Sequence, residues 1–156
     1  MMKRVSTALS CLLLTAAVSA QDRPVDIGVR AKEAAQIVVA TVVDINSRFG
    51  TNTYGDRLIY SDVVAEVSET LKGTPNDVIT VTVEGGEVGD VSLKVSDVPV
   101  MRRGERALYF LDRTARGEWV PHRRGYGILK LDASDRVEKS QLTLAQARSL
   151  IRSALK

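Results

Sequence analysis

The stretch from Ile59 to Gly86 constrains the fold most, because apolar residues alternate with polar ones through two successive segments. A period of two residues is the pattern of a β-strand with one buried face. Between the segments, Lys72 to Asp77 contains glycine, proline and asparagine, which favour a backbone reversal. The stretch therefore predicts two strands joined by a turn and followed by a glycine pair. The residues predicted to face the core are Ile59, Val63, Ala65, Val67, Ile79, Val81 and Val83.

The first twenty residues have the pattern of a secretory signal peptide. Lys3 and Arg4 precede an apolar run, Ala8 to Val18, which ends in small residues. That run is too short to span a bilayer of about 30 Å. We therefore expect cleavage near Ala20, export to the periplasm or the medium, and no membrane insertion of the mature chain.

The mature chain is long enough for one domain with a hydrophobic core. We expect an N-terminal segment over residues 21–35 and a β-barrel domain over residues 36–156. Cleavage would remove Cys11, the only cysteine of the sequence. The mature chain would then contain no disulfide, so its stability must come from burial and strand pairing.

The charged residues are distributed unevenly along the chain. Residues 21–100 contain 7 basic and 13 acidic side chains, whereas residues 101–156 contain 13 basic and 6 acidic ones. The second half could carry a positive binding surface, or its charges could form an ordinary solvated face. Because the mature chain is nearly balanced overall, its charge does not favour nucleic acid as a ligand.

Three segments before the central stretch have distinct patterns. Asp26 followed by Ile27 to Ala35 predicts a short helix with an aspartate N-cap. Ile37 to Ile45 is apolar at both odd and even positions, which predicts a strand covered on both faces. Asn46 to Arg57 is polar and rich in glycine and asparagine, which predicts an exposed hairpin loop of the kind that often carries function.

The segments after the central stretch predict further strands. Gly85 to Asp90 is interpreted as a flexible turn, and Val91 to Val95 alternates as a strand does. Arg106 to Leu111 is the most apolar segment and predicts a strand in the centre of the sheet. Glu118 to His122 and Gly127 to Leu131 predict a second hairpin.

The C-terminal segment predicts an amphipathic helix over residues 143–155. Thr143 and Gln146 have the spacing of a capping box, and apolar residues then recur at helical intervals. About seven short strands with a helix at each end predict a mainly β fold. We favour a small antiparallel OB-like barrel, because closure removes exposed strand edges. A two-sheet β-sandwich is the alternative, which strand spacing does not exclude.

The sequence offers few groups for catalysis. A serine or cysteine nucleophile needs an adjacent base, and zinc needs three or four nitrogen, sulfur or carboxylate ligands. His122 is the only histidine, and we expect it at the surface beside a strand end. Glu84 and Glu87 could perform acid–base chemistry only if they shared a cleft. We therefore predict a non-enzymatic protein with no metal and no cofactor.

Binding by an OB-like barrel uses one face and two loops, with aromatic side chains beside basic ones. For Trp119, packing in the core is the alternative role. The candidate binding residues are Phe49, Tyr54 and Tyr60 on the first hairpin, and Trp119, Arg123, Arg124 and Tyr126 on the second. The residues predicted to shape turns are Gly73, Gly85, Gly86, Gly104 and Glu105.

Several short motifs occur in an order that resembles a group of small exported bacterial proteins. They are Leu71-Lys72-Gly73, Gly85-Gly86, Pro99, Gly104-Glu105 and Phe110-Leu111, followed by the segment from Arg124 to Lys130. Relatives in that group look like partners or neighbours of matrixin-type zinc proteases. The resemblance implies a protein partner, such as a secreted metalloprotease, and carries over no catalytic residue.

An exported OB barrel also resembles the tissue inhibitors of metalloproteinases, whose N-terminal cysteine presents its amine and carbonyl to the protease zinc. Cleavage after Ala20 would instead place Gln21 first, in a chain without cysteine. Inhibition by this chain would therefore require occlusion of a cleft and not chelation of the zinc.

Three functional hypotheses follow. The first is an exported binding module that recognises a protein partner through Asn46 to Arg57 and the basic second half. The second is a carbohydrate- or nucleic-acid-binding domain that uses Tyr54, Trp119 and the arginines. The third is an enzyme that uses Glu84 or Glu87 and has a bell-shaped pH profile.

Overall fold

A ring of paired strands with two helices forms the part of the chain that the computed structural model describes, residues 26–156. The mainly β class with a helix near each end is confirmed, and the predicted signal peptide lies outside the described residues. The strands are β1 (Gln36–Thr51), β2 (Arg57–Lys72), β3 (Val78–Glu84), β4 (Gly86–Val88), β5 (Val91–Leu93), β6 (Arg106–Arg113), β7 (Trp119–Pro121) and β8 (Ile128–Leu131), and the helices are α1 (Ile27–Glu33) and α2 (Leu144–Ala154).

Strand pairing follows the order β1–β2–β3–β7–β6, after which β6 pairs again with β1. The β3–β7 pairing is parallel and consists of one residue pair, Val81 with Trp119, whereas the other pairings are antiparallel. β4 and β5 form a separate two-stranded sheet. Because β3 and β7 are joined by one residue pair, the ring has the arrangement of a partly open barrel. Within residues 26–156, no helix has the length and apolar character needed to cross a membrane.

β1 and β6 are apolar on both faces because each lies between two hydrophobic cores. Val38 and Tyr109 face the inner core, inside the ring. Val39 and Phe110 face the outer core, which α1 and α2 cover. The prediction that Ile37 to Ile45 is covered on both faces is therefore confirmed for its first half, as is the central position of β6. The inner core also contains Ala40, Val42, Val63, Ala65, Ile79, Val81, Val83 and Leu111.

The first hairpin is longer than the sequence predicts. β1 and β2 each have 16 residues and pair as far as Thr51 and Arg57. The prediction of a loop over Asn46 to Arg57 is therefore wrong for 46–51 and for Arg57, and only residues 52–56 form the turn. The end of the hairpin extends beyond the core, so its strand residues are polar and show no apolar alternation.

β7 and β8 do not form the predicted second hairpin. β7 pairs with Leu111–Arg113 and β8 pairs with Arg106–Tyr109, so the two strands are parts of one interrupted strand beside β6. Residues 122–127 form the interruption, which ends in a turn of 3₁₀ helix. A Cβ on Gly127 would lie 2.5 Å from the Phe110 oxygen, so glycine is required where pairing resumes.

The turn predicted over Gly85 to Asp90 is found only at Gly89 and Asp90, because Gly86 to Val88 form β4. Gly85 and Gly86 have φ of 103° and 132°, values that favour glycine, and they direct the chain into β4. The predicted strand Val91 to Val95 ends at Leu93. Of the other predicted turn residues, Gly73 and Gly104 have positive φ, and the Glu105 carboxylate accepts a hydrogen bond from the Arg102 backbone at 2.8 Å.

Both helices begin at the N-caps predicted from the sequence. The Asp26 carboxylate accepts a hydrogen bond from the Val29 backbone N–H at 2.9 Å. Thr143 and Gln146 form the complete capping box, with reciprocal bonds of 2.9 and 3.2 Å. These bonds satisfy backbone donors that the first helical turn leaves unpaired.

Lys72, at the end of β2, attaches α1 to the ring. Its ammonium donates to the carbonyl oxygens of Ala31, Lys32 and Ala34 at 2.8, 3.0 and 2.6 Å. These carbonyls lie at the C-terminus of α1, where a cation is favoured by the helix dipole. The motif Leu71-Lys72-Gly73 thus ends a strand and caps a helix.

Replacement of Lys72 by alanine should lower the free energy of unfolding by about 2 kcal/mol, because it removes charge-assisted bonds to three carbonyls. The matched control is Lys32→Ala, since the exposed Lys32 side chain makes no hydrogen bond or ion pair within residues 26–156. The control should change stability by less than about 0.5 kcal/mol. Equal effects in a urea titration would contradict this role of Lys72.

Tyr109→Phe should raise the free energy of unfolding by about 1 kcal/mol, because the buried Tyr109 hydroxyl has no hydrogen-bond partner among the described residues. The control is Tyr126→Phe at a side chain that is 62% exposed. It should leave stability unchanged. A loss of stability in Tyr109→Phe would show that the hydroxyl contributes a favourable contact.

The same variant should reduce the loss of stability in alkali. Burial, assisted by the Glu105 carboxylate, raises the pKa of the Tyr109 phenol. An unfolded phenol ionises near pH 10. Above about pH 10 the unfolded chain therefore binds fewer protons than the folded chain, and stability falls as pH rises. Urea titrations at pH 9 and 11 should show a smaller fall for Tyr109→Phe than for the unmodified chain.

Candidate functional site

A groove of about 760 Å³ lies between the turn of the first hairpin and the β6–β7 loop, residues 114–118. Its floor contains Arg48, Tyr60 and Glu84, which are register neighbours on β1, β2 and β3. The buried neighbours of Tyr60 on β2 face the inside of the ring, so Tyr60 faces outward. Other lining residues are Thr51, Asn52, Thr82, Thr114, Arg116, Glu118 and Arg124.

Gly50 determines where the Tyr60 ring lies. A Cβ at Gly50 would be 2.7 and 2.9 Å from the ring atoms Cδ2 and Cε2 of Tyr60, so the ring packs directly on the β1 backbone. Partial burial raises the pKa of the phenol, the Glu84 carboxylate adds to this increase, and Arg48 opposes it. Tyr60 therefore presents a neutral ring and hydroxyl to the groove at neutral pH.

Arg48 connects the hairpin to the opposite wall of the groove. Its Nε donates to Asp62 Oδ2 at 3.1 Å, and its Nη2 lies 3.9 Å from Glu118 Oε1. Asp62 in turn accepts a hydrogen bond from the Thr82 hydroxyl at 2.8 Å. The bond from Arg48 to Asp62 raises the pKa of the guanidinium. This cation is thus already paired with carboxylates.

Arg124 occupies the end of the groove and is also paired. Its Nη2 lies 2.6 Å from Glu84 Oε2, and its Nε lies 3.5 Å from Asp97 Oδ2. The adjacent Gly125 packs so closely on residue 97 that a Cβ would be 1.5 Å from the Asp97 carbonyl oxygen. Close packing and two carboxylates therefore fix the position of Arg124. Arg116 is exposed and forms no ion pair with the carboxylates of residues 26–156.

Of the candidate residues on the first hairpin, only Tyr60 lines the groove. Tyr54 is 88% exposed at the tip of the hairpin. Phe49 is partly exposed, and the Arg57 guanidinium lies 4.0 Å from its ring centre. Phe49 and Tyr54 thus lie near the groove without lining it.

Of the candidates on the predicted second hairpin, only Arg124 lines the groove. Trp119 is half-buried against the inner core, as its alternative role predicts. Arg123 pairs with Glu33 of α1 at 2.7 Å. Tyr126 is largely exposed and lies beneath Arg30 at 5.8 Å. Arg123 and Tyr126 therefore contact α1, whereas Arg124, which lies between them in the chain, lines the groove.

His122 is buried, and the prediction of a surface histidine is wrong. Only 7% of the residue is exposed. Its Nδ1 lies 2.8 Å from an Asp112 carboxylate oxygen, and its Nε2 lies 3.1 Å from one of Glu33. The imidazole therefore joins α1 to β6 outside the groove. No local pattern indicates this contact, because Glu33 is 89 residues away from His122 in the chain.

The basic second half of the chain is partly paired with the acidic first half. Four of its arginines bind acidic residues of the first half, and this pairing offsets part of the asymmetry seen in the sequence. The pairs are Arg103 with Asp44, Arg123 with Glu33, Arg124 with Glu84 and Asp97, and Arg148 with Glu69.

Sequence reasoning identifies neither Arg48 and Glu118 as groove residues nor Asp62 as the partner of Arg48. Because the sequence predicts a loop at Arg48, it does not predict the register of Arg48 with Tyr60. Its contact with Glu118 depends on how the β6–β7 loop folds over β3, which has no local sequence signal. A scan against protein-family models finds no match for the chain, and a search among curated proteins finds none either.

Gly50→Ala should displace the Tyr60 ring and lower the free energy of unfolding by about 1 to 3 kcal/mol, because the added methyl overlaps the ring. The control is Gly28→Ala in α1, where the nearest atoms are 3.8 and 3.9 Å from the new Cβ. The control should gain about 0.5 to 1 kcal/mol. Unchanged NMR signals of the Tyr60 ring in Gly50→Ala would refute the packing described.

Proposed function

We propose that the chain is an exported, non-enzymatic binding module that holds an extended segment of a protein partner in the groove. The pairing of the groove's arginines is the observation that carries the proposal. Arg48 and Arg124 both contact carboxylates, so the groove offers both signs of charge beside hydroxyl groups, and Arg116 is its one cation outside these pairs among the described residues. Such a surface complements a peptide of mixed charge.

The position of the groove supports the proposal. OB-like barrels bind ligands on the face of their second and third strands, between the loop joining strands one and two and the loop joining strands four and five. Along the chain, the five strands of the ring are β1, β2, β3, β6 and β7. The turn at residues 52–56 therefore corresponds to the first of those loops, and the loop at residues 114–118 corresponds to the second. We therefore take the ring as an OB-like barrel that uses its usual binding face.

The aromatic residues argue against a polymer of nucleotides or sugars in the groove. Such ligands bind by stacking on exposed aromatic rings, and nucleic acids also require unpaired cations. Tyr54 and Trp119, the candidates for stacking, do not line the groove. Tyr60 is its one aromatic lining residue, and Arg116 is its one cation without an ion pair among the described residues.

The partner is proposed to be a secreted protease, as the resemblance of the short motifs implies. Binding of the module across or beside a protease cleft would use protein surfaces alone, in agreement with the absence of cysteine from residues 21–156. Titration with a matrixin-type metalloprotease tests the partner class. Competition between that protease and a peptide bound in the groove would support it, and simultaneous binding of both would oppose it.

Peptides selected by phage display from a random 12-residue library on the mature protein should bind in the groove. Tyr60→Ala should weaken a selected peptide by about tenfold or more, because tyrosines in such surfaces often contribute above 1 kcal/mol. The matched control is Tyr54→Ala at the exposed tip of the same hairpin, and it should change the affinity less than about twofold. Isothermal titration calorimetry gives the dissociation constants. Equal weakening by both variants, or none by Tyr60→Ala, would overturn the proposal.

A further inference from the structure

A second cavity, of about 390 Å³, lies between the β4–β5 hairpin, the segment 94–101 and the ring. Its volume falls at the lower end of the range of ligand pockets, about 300 to 1,000 Å³. The ring contributes residues from three strands, so the cavity is built on the rigid part of the fold. Its apolar walls include Ile45, Val63, Val83, Val95, Val98 and Met101.

The ring contributes two hydroxyl groups to this cavity, and both are already used within the protein. Three polar side chains outside the ring also line the cavity from exposed positions, namely Glu87, Ser92 and Lys94. Ser61 Oγ donates to the Gly85 carbonyl oxygen at 2.7 Å, and Ser47 Oγ lies 2.8 Å from Ser61 Oγ. Since Ser61 uses its proton on Gly85, the Ser47 hydroxyl donates to Ser61. Neither serine has a free proton for a polar ligand, so the ring side of the cavity, with its apolar walls, favours an apolar group.

The β4–β5 hairpin covers the cavity and packs against the ring at a defined position. It is a separate two-stranded sheet, joined to β3 through Gly85 and Gly86. A Cβ on Gly86 would lie 2.2 Å from Ser61 Oγ and 2.6 Å from Ser47 Oγ, so only glycine lets the hairpin rest on the two serines. This close contact keeps the cover against the ring while the cavity beneath it stays open.

The second cavity adjoins the groove. Val83, Glu84 and Val98 line both, so a chain lying over Glu84 can extend a side chain between them. We infer that the cavity receives one apolar side chain, aromatic or branched aliphatic, of the partner segment in the groove. This inference rests on the proposed function and adds an apolar anchor to a surface that is otherwise polar. Buried apolar anchors of this kind dominate the affinity of many interfaces.

Toluene, the side-chain analogue of phenylalanine, tests the cavity without any peptide. In NMR spectra of the mature protein it should produce saturable shifts of the Val83, Val95 and Met101 methyl signals. Acetamide, the polar control, should produce none. Val95→Trp fills the cavity and should abolish the shifts, whereas Val91→Trp, at an exposed position on the β4–β5 hairpin, should preserve them. Absence of saturable shifts would overturn the inference.

The selected peptides test the occupant. They should share an apolar residue, and Val95→Trp should weaken them by at least tenfold while Val91→Trp leaves them within twofold. Leu93→Trp, at another lining position, repeats the test if Val95→Trp does not fold. The inference would be overturned if the peptides lose affinity in Tyr60→Ala but bind both filling variants as tightly as the unmodified protein. The proposed function would then still hold. Toluene binding without any peptide binding would remove the proposed function and, with it, the assignment of a partner side chain.

Discussion

The pairing of β1 with β6 is the constraint on which the rest of the structure depends. Each strand must bury two apolar faces, and a single sheet with one solvated side could not do this. The ring covers one face, and α1 with α2 covers the other. Contacts to both layers therefore fix the first half of β1, and its polar second half continues from that anchored segment. Sites built on such held strands keep their side chains in place better than sites on loops.

This arrangement explains why the groove lies where it does. Beyond the core, β1 and β2 remain paired although their side chains are polar, so Arg48 and Tyr60 project from a regular hairpin. β3 continues the row with Glu84. On the far edge of β3, the described strands make only the Val81–Trp119 pair, and the ring is open enough there for the β6–β7 loop to fold over. The groove thus forms where the strands of the ring are least paired, between β3 and β7.

Electrostatics then limits what the groove binds. The acidic first half and the basic second half of the sequence meet in ion pairs across the fold, and two of these pairings include Arg124 at the end of the groove. The groove arginines Arg48 and Arg124 are half-exposed, so each of their ion pairs adds little to stability. Their carboxylates still lie beside the cations and oppose a polyanion, so a ligand must complement both signs of charge. A peptide with both signs of charge and one apolar anchor meets this requirement.

Local patterns predicted most of the fold but little of the groove. Three patterns depend on neighbouring residues: the alternation in Ile59 to Val83, the two-faced apolar run after Ile37 and the cap at Thr143. The first and third predictions are confirmed, and the second is confirmed for the first half of the run. Polar strand residues such as Arg48 carry no such pattern. The site also depends on long-range register and on glycines, such as Gly50 and Gly125, whose importance is visible only when the atoms against them are known.

We infer that a surface of paired charges selects a peptide over a polyanion, and the salt dependence of binding tests this selection. A peptide bound in the groove and a single-stranded oligonucleotide would each be titrated at about 50 and 200 mM salt. We expect the peptide affinity to change less than about threefold between the two salt concentrations. We also expect that the oligonucleotide does not displace the peptide. The opposite result would be displacement of the peptide by the oligonucleotide. An oligonucleotide affinity that falls about a thousandfold across that range and depends on Arg124 would then contradict the selection of a peptide by paired charges.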